Sequence, residues 1–109
     1  MCRTKADAGC CSGDIIIDPS LTAIAAYAFD SCSGLVSVNM SLVTIVGTHA
    51  FNACGGIVSV NMPLVTNVGD GAFHQCTSLT VVDMPRVTTV GHWAFQFSSV
   101  TSVNRCSRS

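Results

Sequence analysis

The sequence predicts a repeat solenoid built mostly from short β-strands and turns. Phenylalanine recurs at a constant interval, each time directly after an alanine, at Phe29, Phe51, Phe73 and Phe95. Apolar and polar residues alternate in a short segment ahead of each Ala-Phe pair, as in Val60-Asn61-Met62. The interval of about 22 residues lies in the range of about 20 to 29 residues that is typical of units too small to fold alone, which bury their apolar sides against each other.

The composition narrows the classes of function. The 109 residues carry five Lys and Arg side chains against six Asp and no Glu, so the formal net charge is -1. This leaves no basic surplus to neutralise phosphates, which argues against a nucleic-acid partner. No run approaches the ~20 consecutive apolar residues of a membrane-spanning helix, and the N-terminus lacks the apolar segment of a secretory signal. We therefore expect no nucleic-acid binding and no membrane insertion.

Laid out at this period, the chain divides into an array with two flanking segments. The units cover about residues 13–34, 35–56, 57–78 and 79–100, followed by a partial unit at 101–104, and the first unit is degenerate. Residues 1–14 are predicted to be an irregular N-terminal segment, residues 15–104 the solenoid and residues 105–109 a C-terminal tail. A chain of this length is expected to fold as one cooperative unit.

The first element of each unit is a strand whose side chains alternate between core and solvent. Neighbouring side chains of an extended chain point to opposite faces. The inward residues are a valine and a methionine two positions apart: Val38 and Met40, Val60 and Met62, and Val82 and Met84. The outward residue between them is Asn39, Asn61 or Asp83. Proline then ends the strand at Pro19, Pro63 and Pro85, since it cannot donate to a continuing ladder.

A second extended stretch and the Ala-Phe pair complete the unit. The stretch has two valines three positions apart and ends at a glycine, as in Val65-Thr66-Asn67-Val68-Gly69. Glycine permits a turn with positive φ. In the Ala-Phe pair the small residue suits crowded neighbouring backbones, and the ring reaches the centre. We expect the four rings to stack into a buried ladder.

These columns resemble a known repeat family. The last full unit reads Leu79-x-x-Val82-x-Met84-Pro85-x-Val87-Thr88-x-Val90-Gly91-x-x-Ala94-Phe95, which is similar to the BspA-type leucine-rich repeat, and the similarity covers about residues 15–104. The resemblance implies a curved right-handed solenoid, leucine-rich-repeat-like and mostly β, with parallel stacked short strands, turns and short helical segments. It also implies a surface or secreted protein associated with adhesion to host matrix or to other cells.

The chain departs from the family pattern in three places. Each unit is shorter by one residue than is usual in the family; Ser41 replaces the proline in one unit; and the last unit is shortened further. Phe97 and Ser98 stand where the family's cysteine belongs. Arrays generally need polar terminal caps, and none is visible at the C-terminal end. We expect either a fragment of a longer protein or a self-associating end.

The seven cysteines fall into two groups. Cys32, Cys54 and Cys76 share one column of the repeat, while Cys2, Cys10, Cys11 and Cys106 lie outside it. We expect the column to pack in the core as small apolar side chains. A vertical disulfide and a metal site are the alternatives, although a linear ladder does not offer the four converging ligands that zinc requires. The N-terminal cysteines could anchor a lipid, pair with an upstream segment, form a disulfide cap or remain inert, and the sequence leaves that choice open.

The sequence does not support an enzyme or a cofactor site. His49, His74 and His92 occupy three different columns of the repeat, so stacking does not bring them into register. No glycine-rich phosphate loop, paired-carboxylate site or CxxC motif occurs. We expect no catalytic residues, no bound metal and no cofactor.

The outward strand positions are the candidate binding surface. They should form a face of small side chains that a partner can approach closely: Ser37, Asn39, Ser59, Asn61, Val81 and Asp83, flanked by Val36, Val58 and Thr80. Solenoids use such faces in recognition, and a merely solvated face is the alternative. We expect a non-enzymatic interaction module that binds a protein, with a glycan as the second candidate. The competing hypothesis is a structural spacer, or an end-to-end self-associating piece of a longer repeat surface protein.

Overall fold

Short strands joined by turns make up the fold. The computed structural model describes residues 2–96, 98 and 102–105, the last four by their backbone alone. Within these residues the strands are β1 Ser12–Ile16, β2 Ala23–Ile24, β3 Gly34–Asn39, β4 Ile45–Val46, β5 Ser59–Asn61, β6 Asn67–Val68, β7 Val81–Met84, β8 Thr89–Val90 and β9 Ser102–Arg105. Over the same residues, no helix has the length and hydropathy to cross a membrane.

Two parallel sheets form two sides of a solenoid. One sheet has the strand order β1-β3-β5-β7-β9, and the other has the order β2-β4-β6-β8. Partners on β3, β5 and β7 are one full repeat apart in the sequence, as with Val38 and Val60. Between β7 and β9 the offset is shorter by a single residue, since Val82 pairs with Val103, in agreement with the shortened last unit. The predicted repeat solenoid with parallel stacked strands is confirmed.

The predicted short helical segments are wrong for the described chain, because the Ala-Phe segments are turns. The backbone N–H of Phe51 donates to the carbonyl of Ala72 in the next layer at 2.8 Å, whereas that of Asn52 donates to His49 at 3.2 Å. Successive backbone N–H groups thus alternate between acceptors in the neighbouring layer and acceptors within the same tight turn. The φ angles of His49 and Ala53 are 55° and 60°, and a right-handed helix cannot include them.

The core is a set of buried columns around the phenylalanine ladder. Phe29, Phe51, Phe73 and Phe95 stack with successive ring centroids 5.0, 5.2 and 5.4 Å apart. The first three rings are fully buried, and Phe95 is partly buried. The inward strand residues are also buried: Val38, Met40, Val60, Met62, Val82 and Met84. The alternation predicted from the sequence is therefore confirmed.

The N-terminal segment forms a disulfide-bonded cap over the first layer. Cys2 pairs in parallel with Ile17, and a disulfide joins Cys2 to Cys10. Of the alternatives that the sequence leaves open, this is the disulfide cap. β1 begins at Ser12, within the segment predicted to be irregular, because residues 12–16 pair with β3 and extend the sheet. Apart from the backbone of residue 105, the predicted tail at 105–109 and Cys106 lie outside the described residues.

The cysteine column contains one disulfide and two free thiols. Ser12 pairs with Gly34, which brings the preceding Cys11 next to Cys32, and these two form a disulfide with their Cα atoms 5.0 Å apart. Cys32 is buried in the core, as expected, but it is bonded in a disulfide and is not a free thiol. Cys54 and Cys76 are free and buried.

Burial makes the two free thiols poor nucleophiles. The thiol of Cys54 donates to the carbonyl of Phe29 and that of Cys76 to the carbonyl of Phe51, each at 3.1 Å. Desolvation by burial raises the pKa of Cys54 to about 11 and the pKa of Cys76 to about 12. Among the described residues, no group of three or more His, Cys, Asp or Glu side chains could hold a metal ion.

We expect truncation of a central ring to unfold the array. Phe51→Ala or Phe73→Ala should lower the free energy of unfolding by about 3–5 kcal/mol, because each removes a fully buried ring and leaves a cavity. The total stability of a small domain is only about 5–15 kcal/mol. Urea denaturation followed by circular dichroism measures the change. The matched control is Leu42→Ala, since Leu42 is 46% exposed and should cost less than about 0.5 kcal/mol. Unfolding midpoints equal to that of the parent would contradict the ladder as the core.

We expect Cys54 and Cys76 to resist alkylation at about pH 8 while the protein is folded. Burial shields both thiols, and pKa values of about 11 and 12, against an ordinary thiol value of 9.0, reduce the thiolate population about a hundredfold or more. Iodoacetamide labelling followed by peptide mass spectrometry measures the rate at each cysteine, with urea-unfolded protein as reference. Without reductant, Cys2, Cys10, Cys11 and Cys32 should remain unlabelled even after unfolding. Rapid labelling of Cys54 in the folded protein would contradict the buried column.

Candidate functional site

The outward side of the five-stranded sheet brings the six predicted side chains together. Ser37, Ser59 and Val81 pair across β3, β5 and β7 in one row, and Asn39, Asn61 and Asp83 pair in the next. We call these two rows the strand face. All six residues line one shallow cavity of about 340 Å³, together with Val38 and Val60. The strand face is thus one continuous surface made by three neighbouring layers.

Hydrogen bonds join side chains of neighbouring strands along each row. The side-chain amide of Asn61 donates through Nδ2 to Oδ1 of Asn39 at 3.3 Å. The hydroxyl of Ser37 donates to Oδ1 of Asp14, on β1, at 2.8 Å. Asn39 and Asn61 are exposed to solvent, whereas Ser37 and Ser59 are half-buried. These contacts limit the rotamers of the polar side chains, so a partner meets groups whose orientation is already set.

Exposed apolar side chains border the strand face. Val36 and Val58 lie in the row that precedes it and are 45% and 43% exposed. Val81, within the strand face, is 47% exposed. Thr80 continues the bordering row, since its backbone N–H donates to the carbonyl of Val58 at 3.0 Å. Branched apolar groups therefore lie directly beside the amides and hydroxyls.

Sequence reasoning missed two residues that extend this surface, Asp14 and Ile16 on β1. The register shifts between Gly13 and Asp14, so that Asp14 pairs with Ser37 and Ile16 with Asn39, one position further along the chain than a full repeat. A strictly constant period therefore places both side chains in the wrong column. The alternation of buried Ile15 with exposed Ile16 is the sequence signal that could have located them.

The charged side chains that the structure describes on this surface are acidic. Asp14 lies on β1 and Asp83 on β7, with β3 and β5 between them. The nearby basic groups of the cap are engaged elsewhere. Arg3 forms an ion pair with Asp18 at 3.0 Å, and Nζ of Lys5 donates to the backbone carbonyl of Asp30 at 2.9 Å. The strand face therefore combines negative charge with uncharged amides.

Hydrogen bonds also set the carboxylates of the cap. The backbone N–H and the hydroxyl of Ser20, followed by Arg3, lower the pKa of Asp18 to about 2. The backbone N–H groups of Arg3 and Thr4 lower the pKa of Asp7. Both carboxylates stay ionised through the neutral range; Asp7 holds a turn within the cap, and Asp18 joins the cap to the first layer through Arg3.

The three histidines lie in separate surroundings. The ring of His49 stacks on Tyr27 with centroids 5.2 Å apart. Nδ1 of His74 lies 3.1 Å from Oδ1 of Asn52. The backbone N–H of His92 donates to Oδ1 of Asp70 at 2.9 Å. None of these contacts joins a histidine to a hydroxyl or thiol nucleophile, which is the arrangement that covalent catalysis uses.

Cavity size alone does not single out the strand face. A groove of about 330 Å³ runs beside β4, β6 and β8, where Ile45, Asn67 and Thr89 point outward. A cavity of about 430 Å³ lies against the N-terminal cap and includes Asp7 and Cys10. The strand face differs from both because it joins a hydrogen-bonded pair of asparagines to an exposed apolar border.

Comparison with known proteins agrees with the geometry. The family model described as a BspA type leucine rich repeat region matches residues 4–109 in six copies. A solved leucine-rich repeat protein from Bacteroides ovatus ATCC 8483 is similar to this chain at 31% identity, with a TM-score of 0.73 over 78% of this chain and 22% of that chain. No curated protein gives a significant match.

Two further solved structures share the fold. A leucine rich cell surface protein from Faecalibacterium prausnitzii A2-165 is 22% identical, with a TM-score of 0.65 over 87% of this chain and 32% of that chain. The leucine rich repeat protein of T. pallidum is also 22% identical, with a TM-score of 0.65 over 85% of this chain and 58% of that chain. This chain spans less than two thirds of the length of each. Since the family model matches nearly the whole chain, the chain belongs to the BspA-type leucine-rich repeat family.

Proposed function

We propose that this chain is a non-enzymatic interaction module that binds a protein partner through the strand face. The observation that carries the proposal is the alignment of Ser37, Ser59 and Val81 beside Asn39, Asn61 and Asp83 over one shallow cavity. Three layers contribute equivalent groups, so an extended partner that lies across the strands can contact the same groups in each layer. Small side chains on such a face let the backbone of a partner approach closely.

The chemistry of the strand face favours a protein. Protein interfaces combine exposed apolar carbons with hydrogen-bonding groups. Here Val36, Val58 and Val81 supply exposed branched carbons, and Asn39 and Asn61 supply amides at the surface. A polypeptide can satisfy both kinds of group at once, with apolar side chains on the valines and backbone amides on the asparagines.

Two further observations support a role in cell-surface adhesion. Disulfides persist in oxidising compartments such as the cell exterior, and the N-terminal cap contains the Cys2–Cys10 and Cys11–Cys32 disulfides. One of the structurally similar proteins is a cell surface protein. An adhesin would expose its strand face to a matrix protein or to another cell.

A structural spacer is the second candidate function. The phenylalanine ladder continues without interruption from Phe29 to Phe95, and such a column makes a stiff rod. In this case the chain would set a distance or stack on other copies, and its strand face would be inert. Light scattering across a concentration series separates the two, since end-to-end stacking predicts a mass that grows with concentration.

We expect charge substitution on the strand face to weaken partner binding by about tenfold or more. The variant is Asn39→Lys/Asn61→Lys, which replaces two small amides by long cations at the centre of the face and removes the Asn61–Asn39 hydrogen bond. The loss of one central contact at an interface typically costs about 1–2 kcal/mol or more. The partner is first captured from an extracellular protein extract with the parent protein, and its Kd is then measured by biolayer interferometry.

The matched control carries the same charges on the other sheet. Asn67→Lys/Thr89→Lys places two lysines at exposed positions of β6 and β8, with the same change in net charge. Binding should stay within about twofold of the parent. If both variants bind the partner as tightly as the parent does, the binding site is not on the strand face. If both lose affinity equally, the loss is an effect of net charge alone.

A further inference from the structure

A second surface lies on the turns that follow the four-stranded sheet. One residue per layer occupies the same position of the turn: Tyr27, His49, Gly71 and Trp93. Their φ angles are 61°, 55°, 62° and 60°. We call these four residues the turn column. Three of its four positions hold an aromatic or imidazole ring.

Backbone geometry does not favour rings at these positions. The left-handed region crowds the Cβ atom of every residue except glycine, and it is least suited to bulky side chains. Gly71 is the residue that this turn prefers. Among the described residues, the other left-handed column of the turns contains Ser31, Ala53 and Gln75, at φ of 65°, 60° and 62°, and none of these three carries a ring. The turn therefore tolerates small or polar residues, and the rings of the turn column need another explanation.

Burial does not supply that explanation. Tyr27 is 54% exposed and Trp93 is 65% exposed, so neither ring gains much from the core. Backbone outliers that packing does not explain are found at functional sites. Tyrosine and tryptophan are also the residue types most enriched where proteins bind their ligands.

The column is interrupted at Gly71. The ring of His49 stacks on Tyr27 at 5.2 Å with an interplanar angle of 3°, so each covers a face of the other. A Cβ atom on Gly71 would lie only 2.7 Å from Nε2 of His49, which keeps the position free of a side chain. Residue 71 therefore adds no side chain between His49 and Trp93. The exposed indole of Trp93 is the broad ring surface of this column.

Polar side chains close to the turn column in the sequence hydrogen-bond between layers. Oδ1 of Asp70, which precedes Gly71, accepts a hydrogen bond from the backbone N–H of His92 at 2.9 Å. Three residues after the column positions, Nδ2 of Asn52 donates to Oδ1 of Asp30 at 3.0 Å, and Nδ1 of His74 lies 3.1 Å from Oδ1 of the same asparagine. These hydrogen bonds restrain the side chains of Asp70 and Asn52.

We propose that the turn column is a binding site for a neutral glycan, with a pyranose ring stacked on Trp93. The C–H bonds on one face of a sugar carry small positive partial charges, which the negative face of an aromatic ring attracts. Sugar hydroxyls both donate and accept, as do carboxylate, amide and imidazole groups taken together. Asp70 and His92, each directly before a residue of the turn column in the sequence, supply that set together with Asn52. This site is separate from the strand face and does not rest on the proposed protein binding.

The arrangement fits a glycan better than a protein. A protein interface has a continuous apolar centre, whereas here Gly71 divides the rings into the Tyr27–His49 pair and Trp93. Polar side chains replace the apolar surroundings that a protein would require. Rings separated along one column of the solenoid suit successive sugar units of an oligosaccharide.

Trp93 also supplies the assay, because it is the single tryptophan of the chain. The full chain is titrated with maltotetraose, cellotetraose, mannotetraose and chitotetraose, and the tryptophan emission is recorded. At least one of these probes should give a saturable change in emission, since a stacked sugar excludes water from the indole. Absence of a saturable change with all four would overturn the proposal.

Glycine variants test the residues without straining the turn. Tyr27→Gly and Trp93→Gly each place the residue that the left-handed backbone prefers, and calorimetry with the probe that binds should show Kd raised about tenfold or more. The controls Ser31→Gly and Gln75→Gly give the same backbone relief in the other left-handed column and should keep Kd within about twofold.

If a glycine variant fails to fold, Tyr27→Asn or Trp93→Asn replaces it. Unchanged sugar affinity in the ring variants would reject the site. Loss of a protein partner by those variants, with no response to sugars, would assign the column to a protein and also reject the proposal.

Discussion

The pairing of each layer with the next, position by position, is the constraint on which the rest of this structure depends. Backbone N–H groups at alternate turn positions, such as those of Phe51 and Ala53, have their acceptors in the following layer. A buried donor must find a partner, so the register of one layer dictates that of the next. The same register places one phenylalanine directly over another and produces a ladder with ring centroids 5.0 and 5.2 Å apart. The same register therefore both buries the rings and pairs the backbone hydrogen-bond donors.

Surface organisation follows from the same register. When equivalent residues are stacked, any outward position becomes a row, and a row of small or aromatic side chains becomes a surface much larger than one repeat could offer. The strand face and the turn column are two such surfaces on different sides of the solenoid. They differ in character because the extended strand accepts small polar residues without strain, whereas the left-handed turn accepts rings only at a cost. The shift between Gly13 and Asp14 shows how a single residue moves a side chain from one row to another.

The N-terminal cap covers the first layer of the solenoid. Cys2 continues the sheet pairing through Ile17, and the two disulfides attach the cap covalently to itself and to the solenoid. The carboxylates of Asp7 and Asp18 accept backbone hydrogen bonds within this segment. A short chain that buries a narrow core has limited stability, and closing loops with disulfides stabilises it by restricting the unfolded chain. The cap thus protects the edge at which strand pairing would otherwise be open.

Sequence alone determined the period of the array, its phase and the side of the strand on which each residue lies. Those features are local, because alternation along an extended chain decides whether Val60 or Asn61 faces the core. It also located the six residues of the strand face. Tertiary structure alone decided that the Ala-Phe segments are turns, that Cys11 rather than another cysteine meets Cys32, that Asp14 and Ile16 extend the surface beside the strand face, and that Tyr27 and Trp93 are exposed at left-handed backbone positions. Each of these features depends on contacts between layers or on a left-handed backbone angle. The spacing of apolar residues predicts neither the contacts nor the angle.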